Sequence, residues 1–397
     1  MSKKLIFIVN ILLLFSVSCS GMGKSAYVLK DSNPNEPAQL DLFVSGRENT
    51  ANYRIPAILT TPSGAVVAVC DARKDRPGDP PNNIDCVIKR SLDNGRTWSD
   101  VKTIADYPGM RAAGDPTLFY DRLTNTMWVA YVYANEGVGL ARGKNEPGYG
   151  DDTFHIRLQQ SKDDGVTWSS PLDITRQIKP EELIASWTAP GVGVQLKRGE
   201  KAGRLIFCFS VMNADKRQDS YVAYSDDSGN TWQSSRAGVG TNESQVVELN
   251  DGRLMIVLRT NTVTGIREIA YSDNGGENWQ PQFESDVLID PRCQASILRY
   301  SSTKDGDERD LILYSNPAHA SKRRNLTIRA SFDEGKTWPV AKTINQDYSG
   351  YSCLTRLPDD SIGVLYERNT SQDGEKKHTL TFARFSLDWL INDSSEK

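Results

Sequence analysis

Short apolar runs separated by polar turns recur along most of the chain, and a sustained helical period of about 3.6 residues is rare. Leu254–Leu258 and Leu311–Tyr314 are typical, because both are short, apolar and bounded by turn-forming residues. One helical turn is expected near the end of the chain, at Leu387–Asn392. The pattern as a whole predicts an all-β protein.

A repeated sequence, Ser-x-Asp-x-Gly-x-Thr-Trp, divides the chain. It begins at Ser91, Ser161, Ser225 and Ser331, and a degraded copy begins at Ser272. In such a turn the Asp side chain accepts hydrogen bonds from backbone amides, the Gly takes a positive φ and the Trp covers the hairpin. We therefore expect these Asp boxes to be structural and assign them no catalysis. Each follows a strand-like run: Cys86–Arg90, His155–Gln160, Tyr221–Tyr224, Glu268–Tyr271 and Leu326–Ala330.

The spacing of the Asp boxes predicts the number of structural units. Successive boxes begin 70, 64, 47 and 59 residues apart. A four-stranded antiparallel blade with its loops needs about 60 residues, so about 350 folded residues predict a six-bladed β-propeller. A strand around Leu40–Ser45 is expected to join the last blade and close the ring, which removes an exposed sheet edge. The other strands of that blade are predicted at Cys353–Arg356, Ile362–Glu367 and Thr379–Phe385.

The first residues are typical of an export signal. Two lysines precede the apolar run Leu5–Val17, which is shorter than the about 20 residues of a transmembrane helix. Cleavage before Cys19 by a lipoprotein peptidase and cleavage near Ser20 by an ordinary signal peptidase both fit, and a buried N-terminal helix is the alternative. We expect an exported protein that is periplasmic, extracellular or attached to the outer membrane through a lipidated Cys19. The predicted division is a signal peptide at 1–20, a linker at 21–39, the propeller at 40–392 and a tail at 393–397.

The charge and the metal-binding residue types exclude some functions. The formal net charge is −4, and removal of Lys3 and Lys4 with the signal makes it −6. A mildly acidic chain lacks the basic surface of a nucleic-acid-binding protein, so an anion site must be a local cluster of cations. Three histidines lie far apart without a zinc motif, and we expect no cofactor.

The five cysteines after Cys19 are expected to be buried free thiols, with a Cys70–Cys86 bridge as the one alternative.

Arginines stand at the ends of predicted strands in different blades. Arg54 precedes one strand, Arg259 follows another, and Arg323 and Arg324 precede a third. Guanidinium groups that converge from several strands would bind a carboxylate. A lone arginine is more often a surface charge or part of a structural ion pair, so the prediction depends on convergence.

Besides the Asp boxes, the chain contains the motifs Tyr53–Pro56, Asn242–Gln245, Gly350–Ser352 and Leu365–Glu367. This ordered set of motifs resembles the sialidase (neuraminidase) family. An Asp box alone is weak evidence because unrelated propellers contain it, but the set is specific and covers nearly all of the chain after residue 40. The resemblance implies a sialidase-like propeller and a retaining exo-α-sialidase, which releases terminal sialic acids from glycoproteins, glycolipids and oligosaccharides.

The resemblance also implies the catalytic residues. Asp79 would be the acid and base, with Asp75 as a rival, Tyr351 the nucleophile and Glu243 its partner. Sialidases are an exception among retaining glycosidases in using a Tyr nucleophile. The reason is that sialic acid has a carboxylate on its reactive carbon, which would repel an Asp or Glu nucleophile. A phenol avoids this repulsion but needs a nearby carboxylate to accept its proton.

Further polar residues are implied to bind or orient the substrate. Arg54, Arg259 and Arg323 would hold the carboxylate, with Arg324 as an alternative to Arg323. Glu367 would orient an arginine. The full predicted substrate-binding set is Arg54, Arg73, Asp115, Arg259 and Arg323.

Other functions remain open at this level. The chain could be a trans-sialidase, an anhydro-forming sialidase or an enzyme that prefers a deaminated sialic acid. A non-catalytic glycan-binding propeller is an alternative of another class, but it would be expected to lack part of the charged set. We expect a monomer that acts on sialylated glycans.

Overall fold

The computed structural model describes residues 27–30, 36–262, 264–372 and 374–392. The predicted signal peptide with Cys19, the predicted tail at 393–397 and part of the predicted linker lie outside these residues, so those predictions stay untested. Strands account for 51% of the chain and helices for 3%, which confirms the all-β prediction. None of the helices in the described residues is long and apolar enough to cross a membrane.

The described residues contain two short α-helices, a 3-10 turn and twenty-five strands. The helices are α1 (Thr175–Ile178) and α2 (Leu387–Ile391), and the 3-10 turn is Thr303–Asp305. The first strands are β1 (Ala38–Val44), β2 (Asn52–Thr60), β3 (Val66–Arg73), β4 (Ile84–Ser91), β5 (Lys102–Ala105), β6 (Ala112–Asp121), β7 (Thr126–Ala134), β8 (His155–Ser161) and β9 (Leu172–Asp173). Next come β10 (Ala185–Thr188), β11 (Gly191–Val192), β12 (Val194–Gln195), β13 (Leu205–Met212), β14 (Gln218–Ser225), β15 (Gln233–Val239), β16 (Gln245–Glu248), β17 (Leu254–Leu258) and β18 (Ile266–Ser272). The last are β19 (Phe283–Ile289), β20 (Ser296–Ser301), β21 (Leu311–Pro317), β22 (Arg324–Ser331), β23 (Val340–Arg356), β24 (Ile362–Gln372) and β25 (Glu375–Phe385).

The strands form four sheets in which most neighbours in sequence pair antiparallel. Two sheets are β10-β13-β14-β15 and β16-β17-β18-β19. The third runs β2-β3-β4-β6-β7-β8-β9, and a single parallel pair, Ile84 with Ala112, joins β4 to β6. The fourth runs β1-β25-β24-β23-β22-β21-β20. The sheets are not closed, so the count of six blades stays a prediction.

The N-terminal strand pairs with the last strand, as the sequence analysis expected. Leu40 of β1 lies opposite Phe382 of β25, and Val44 lies opposite Thr379. This pairing covers the outer edge of β25 and joins the first and last of the described strands.

The Asp boxes form the predicted turns. In the first box the Asp93 carboxylate accepts hydrogen bonds from the Thr97 amide (2.8 Å) and hydroxyl (2.6 Å). Gly95 has a φ of +78°, and a Cβ added there would lie 2.5 Å from the Phe382 ring. Trp98 donates its indole N–H to the Gly95 carbonyl at 2.9 Å and contacts Phe382 edge-on. The residue types of the box are therefore explained by contacts within the fold.

The strand directions place the Asp boxes at one end of the strands and the predicted site at the other end. Val66 at the start of β3 lies opposite Ser91, the first residue of a box, whereas Arg73 lies opposite Ile84 at the other end of the same pair. One of the five cysteines after Cys19, Cys293, packs against Ile55 and Tyr351 at the site. All five are buried and free, which confirms the free-thiol prediction and excludes the Cys70–Cys86 bridge; the other three are Cys208, Cys293 and Cys353.

Candidate active site

A hollow of about 340 Å³ opens at the end of the sheets remote from the Asp boxes. It brings together every residue in the predicted catalytic and substrate-binding sets. The alternatives Asp75 and Arg324 are not among its lining residues, and Arg324 is exposed. The predicted residues that line it are Arg54, Arg73, Asp79, Asp115, Glu243, Arg259, Arg323 and Tyr351.

Tyr351 and Glu243 touch at the floor of the hollow. The Tyr351 hydroxyl donates to Oε1 of Glu243 at 2.6 Å. Arg259 contacts the other oxygen of Glu243, and its Nη1 lies 3.1 Å from the phenol oxygen. Burial, followed by the charge of Glu243, raises the pKa of Tyr351 well above its usual value, and the arginine charges oppose this rise. The phenol is thus neutral and has a carboxylate in contact that can accept its proton.

Three arginines surround Tyr351. The guanidinium carbons of Arg54 and Arg323 lie 5.2 Å and 5.4 Å from the centre of its ring. With Arg259 at the hydroxyl, the guanidinium groups come from β2, from the residue after β17 and from the residue before β22. The convergence that the sequence argument required is present.

Glu367 lies behind Arg54 and is fully buried. It accepts from Nε and Nη2 of Arg54 at 3.1 Å and 3.2 Å. It also accepts from the amides of Ile55 (3.1 Å) and Tyr351 (3.3 Å). Burial alone would raise the pKa of this carboxyl, but the Arg54 charge and these hydrogen bonds lower it to about 2. Glu367 therefore fixes both an arginine and the backbone of Tyr351.

Two backbone positions next to Glu367, Gly350 and Ile55, are constrained by its carboxylate. A Cβ added at Gly350 would lie 2.0 Å from Oε2 of Glu367, so a glycine is required for the carboxylate to approach. Ile55 has a φ of +63°, which is rare for a β-branched residue. The hydrogen bond from the Ile55 amide to Glu367 holds it in this conformation.

Asp79 lies on the β3–β4 loop at the rim, and 74% of its side chain is exposed. Its Oδ1 is 2.8 Å from Nη2 of the buried Arg73. Arg73 also donates to the Pro77 carbonyl at 2.8 Å, and the Asn82 amide group donates to the Gly78 carbonyl at 2.7 Å. These bonds hold the loop over the hollow with Asp79 at its tip.

Comparisons with known proteins give the family of the chain. A family model described as a BNR repeat-like domain matches residues 66–365. A sialidase of Micromonospora viridifaciens is 37% identical over 361 residues, which are 88% of this chain and 54% of that protein. The chain belongs to the sialidase family.

Other members of the sialidase family match at lower identity. The solved structure of Hadza microbial sialidase Hz136 has a TM-score of 0.79 and 29% identity over 89% of this chain and 69% of that one. An anhydrosialidase of Macrobdella decora is 25% identical and covers 89% of this chain and 63% of its own length. This chain thus spans about half to two thirds of the length of these two curated relatives, and their names include more than one kind of sialidase reaction.

Asp71 was not found by sequence reasoning, although it supports two members of the site. Its Oδ2 lies 3.1 Å from Nη2 of Arg73, and its Oδ1 accepts the amide of Asp115 at 2.8 Å. Burial raises the pKa of Asp71 to about 6 although Arg73 opposes the shift. Burial, and then the charge of Asp71, raises the pKa of Asp115 well above its usual value. An Asp within the apolar run of β3 was the available signal.

Arg267 is a second residue that sequence reasoning missed. It is fully buried in β18 and contacts the Cys293 carbonyl and the Asp290 carboxylate (3.3 Å). Its Nη1 also lies 3.4 Å from the Glu243 carbonyl. Arg267 thus ties the segment that carries Glu243 to the segment after β19.

One side of the remaining wall of the hollow is apolar, while Gln218 and Asn242 also line the hollow. Phe154 and Trp187 are its aromatic members, with Ile84, Val132 and Leu140 beside them. Among the described residues, no group of three or more His, Cys, Asp or Glu side chains is placed to hold a metal ion.

Proposed function

We propose that this protein is a retaining exo-α-sialidase that releases terminal sialic acid from glycans. The observation that carries the proposal is the 2.6 Å contact between Tyr351 and Glu243 among three arginines. A sugar with a carboxylate on its reactive carbon is the substrate class that needs both a cationic clamp and an uncharged nucleophile. The apolar wall at Phe154 and Trp187 suits an acylamino methyl group of such a sugar.

In the first step the Tyr351 oxygen attacks the anomeric carbon and passes its proton to Glu243. Asp79, in its protonated form, gives its proton to the leaving glycan oxygen as the glycosidic bond breaks. The products of this step are a tyrosyl–sugar intermediate and a free glycan hydroxyl. The contact between Arg73 and Asp79 must open in this step, so that the carboxyl group can reach the leaving oxygen.

In the second step a water attacks the anomeric carbon and gives a proton to Asp79. The bond to the Tyr351 oxygen breaks, and Glu243 returns the proton to the phenol. Two displacements on the same carbon retain its configuration. Arg54, Arg259 and Arg323 hold the sugar carboxylate throughout and offset the charge that develops at the adjacent carbon.

We also propose that the fold is a six-bladed propeller. The support is the division of the strand pairing at two points. Residues of β23 up to Tyr348 pair with β22, and those from Ser349 pair with β24, so one long strand serves two antiparallel groups. The single pair between β4 and β6 divides another sheet in the same way. With the two four-strand paths, this makes six groups.

Release of a fluorescent alcohol from an α-sialoside tests the proposed activity. We expect wild type to turn over and Tyr351→Phe to lose most of its activity while it stays folded. Tyr120→Phe is the control, because Tyr120 lines a separate cavity at the opposite end. Loss of activity in neither variant or in both would contradict the assignment of Tyr351.

Product analysis separates the related reactions. Nuclear magnetic resonance of the first product should show free sialic acid as the α-anomer, as retention requires. An anhydro sugar, or transfer to an added acceptor sugar in preference to water, would assign the chain to the other sialidase reactions.

A further inference from the structure

A second hollow, of about 390 Å³, adjoins the candidate active site. Arg259 and Arg323 line both hollows, so the two share a wall made of guanidinium groups. Gly265, the loop at Pro291–Arg292 and the segment Ala320–Ser321 complete the second one. Its volume is comparable to the 340 Å³ of the first, so it has room for a sugar ring.

The second hollow is cationic. Three of its lining residues are arginines, and no described acidic residue lines it. Arg292 is exposed, and within the described part of the chain its side chain has no hydrogen bond or ion pair. Lys322, between Ser321 and Arg323, is also exposed, and within the described residues its hydrogen bonds, to His319 and Arg324, involve only its backbone. In a chain with a net charge of −4, such a cluster is a local exception.

The backbone of Arg292 is held against the first site. Its carbonyl accepts a hydrogen bond from Nη2 of Arg323 at 3.0 Å. Its φ is +58°, which is uncommon outside glycine, asparagine and aspartate. The fold therefore keeps a strained arginine next to an arginine of the clamp, although an asparagine would fit the same backbone with less strain.

We propose that this second hollow binds a second carboxylate of the substrate, on the sugar to which the released sialic acid is attached. This inference rests on the proposed function. A sialic acid linked to another sialic acid carries such a carboxylate on adjacent sugars. Arg292 would bind it through two parallel N–H···O bonds, and Lys322 would add a point charge. The enzyme should therefore cleave disialylated glycans in preference to monosialylated ones.

Steady-state kinetics on two substrates tests the proposal. Sialyl-lactose has a neutral sugar next to the released sialic acid, whereas α2,8-linked disialyl-lactose has a charged one. We expect Arg292→Asn to lower the ratio of kcat/KM for the disialylated to the monosialylated substrate about fivefold, chiefly through KM. Lys322→Gln should lower it less. Asparagine is chosen because it accepts the positive φ and keeps the backbone bond to Arg323.

Lys162→Gln is the matched control. It removes one exposed charge from an Asp box at the opposite end of the molecule, and we expect the ratio to stay unchanged. Raising the salt concentration should lower kcat/KM for the disialylated substrate more than for the monosialylated one, because salt screens the attraction between exposed charges. An unchanged ratio in Arg292→Asn, or an equal fall for both substrates, would overturn the proposal.

A binding measurement separates this inference from the proposed function. Calorimetry of Asp79→Asn protein should show tighter binding of disialyl-lactose than of sialyl-lactose, and Asp79→Asn/Arg292→Asn should lose the difference. If wild type cleaves neither substrate but this difference is present, the proposed activity fails and the second carboxylate site stands. If wild type cleaves both and the difference is absent, the second site fails alone.

Discussion

Replacement of Glu367 by glutamine should destabilise the protein and loosen its substrate clamp. The wild-type carboxylate accepts four hydrogen bonds and no solvent reaches it. A glutamine amide keeps the shape but turns one of the two oxygens into a donor. Whichever oxygen is replaced, that donor would face both an Arg54 nitrogen and a backbone N–H. The buried Arg54 charge would also lose its counter-charge.

The structure gives the size of this effect in two ways. Breaking a buried ion pair by removing one partner costs about 3–5 kcal/mol. The pKa of Glu367 falls from 4.5 to about 2, and at about 1.4 kcal/mol per pKa unit this corresponds to about 3 kcal/mol. The two figures agree in order of magnitude. We expect Glu367→Gln to lose about 3 kcal/mol of unfolding free energy at pH 7.

The pH dependence supplies a sharper test. The folded-state pKa of Glu367 lies below its unfolded value, so its stabilisation is complete above about pH 4.5 and is lost as the pH falls towards 2. The glutamine variant lacks this contribution at every pH. The difference in unfolding free energy between wild type and variant should therefore shrink between pH 6 and about pH 3.

Urea unfolding at several pH values, followed by tryptophan fluorescence, measures this difference. Glu375→Gln is the control, because Glu375 is exposed and pairs with Lys377 on the surface, where such pairs contribute little. In activity assays Glu367→Gln should raise KM, since Arg54 is held by Glu367. A difference that stays constant with pH, or one below about 1 kcal/mol at pH 7, would refute the reasoning.

Three further predictions test other parts of the site and fold. Asp79→Asn should lower kcat by about 10²–10⁴-fold on a natural glycan, but much less on an aryl sialoside whose phenol leaves without protonation; equal losses in steady-state assays would contradict its role as acid. Asp163→Ala, which removes the carboxylate of an Asp box, should lower the unfolding free energy by about 1–3 kcal/mol in urea titrations without changing KM. Gly350→Ala should abolish activity or folding, because its Cβ would collide with Glu367; circular dichroism and the fluorescent assay would detect either result.

The local features of the fold could be predicted from sequence because each lies within one short segment. An Asp box needs Ser, Asp, Gly, Thr and Trp within eight positions, and its hydrogen bonds join residues two to four apart, such as Ser91, Asp93 and Thr97. Strand positions followed from the same local alternation. The pairing of β1 with β25 was predicted because an exposed sheet edge leaves backbone N–H and C=O groups unpaired, which holds for any sheet.

The contacts of the site could not be derived in this way. Tyr351 and Glu243 are 108 residues apart, and Arg54 and Glu367 are 313 apart. Their predicted roles came from a family resemblance, because no property of the intervening sequence brings them together. Asp71 was missed for a related reason: it lies opposite Arg54 in the β2–β3 pair, and this register is not visible until the strands are aligned.

The position of Glu367 explains why the clamp and the nucleophile depend on the same part of the fold. Arg54 stands on β2 and Tyr351 on β23, and the Glu367 carboxylate on β24 contacts the guanidinium of one and the backbone amide of the other. A shift of β24 relative to either strand would therefore move the carboxylate-binding group and the reacting oxygen together. Since β24 pairs with β25, which pairs in turn with β1, the pairing of the N-terminal strand stabilises the distance between Arg54 and Tyr351 as well as covering a sheet edge.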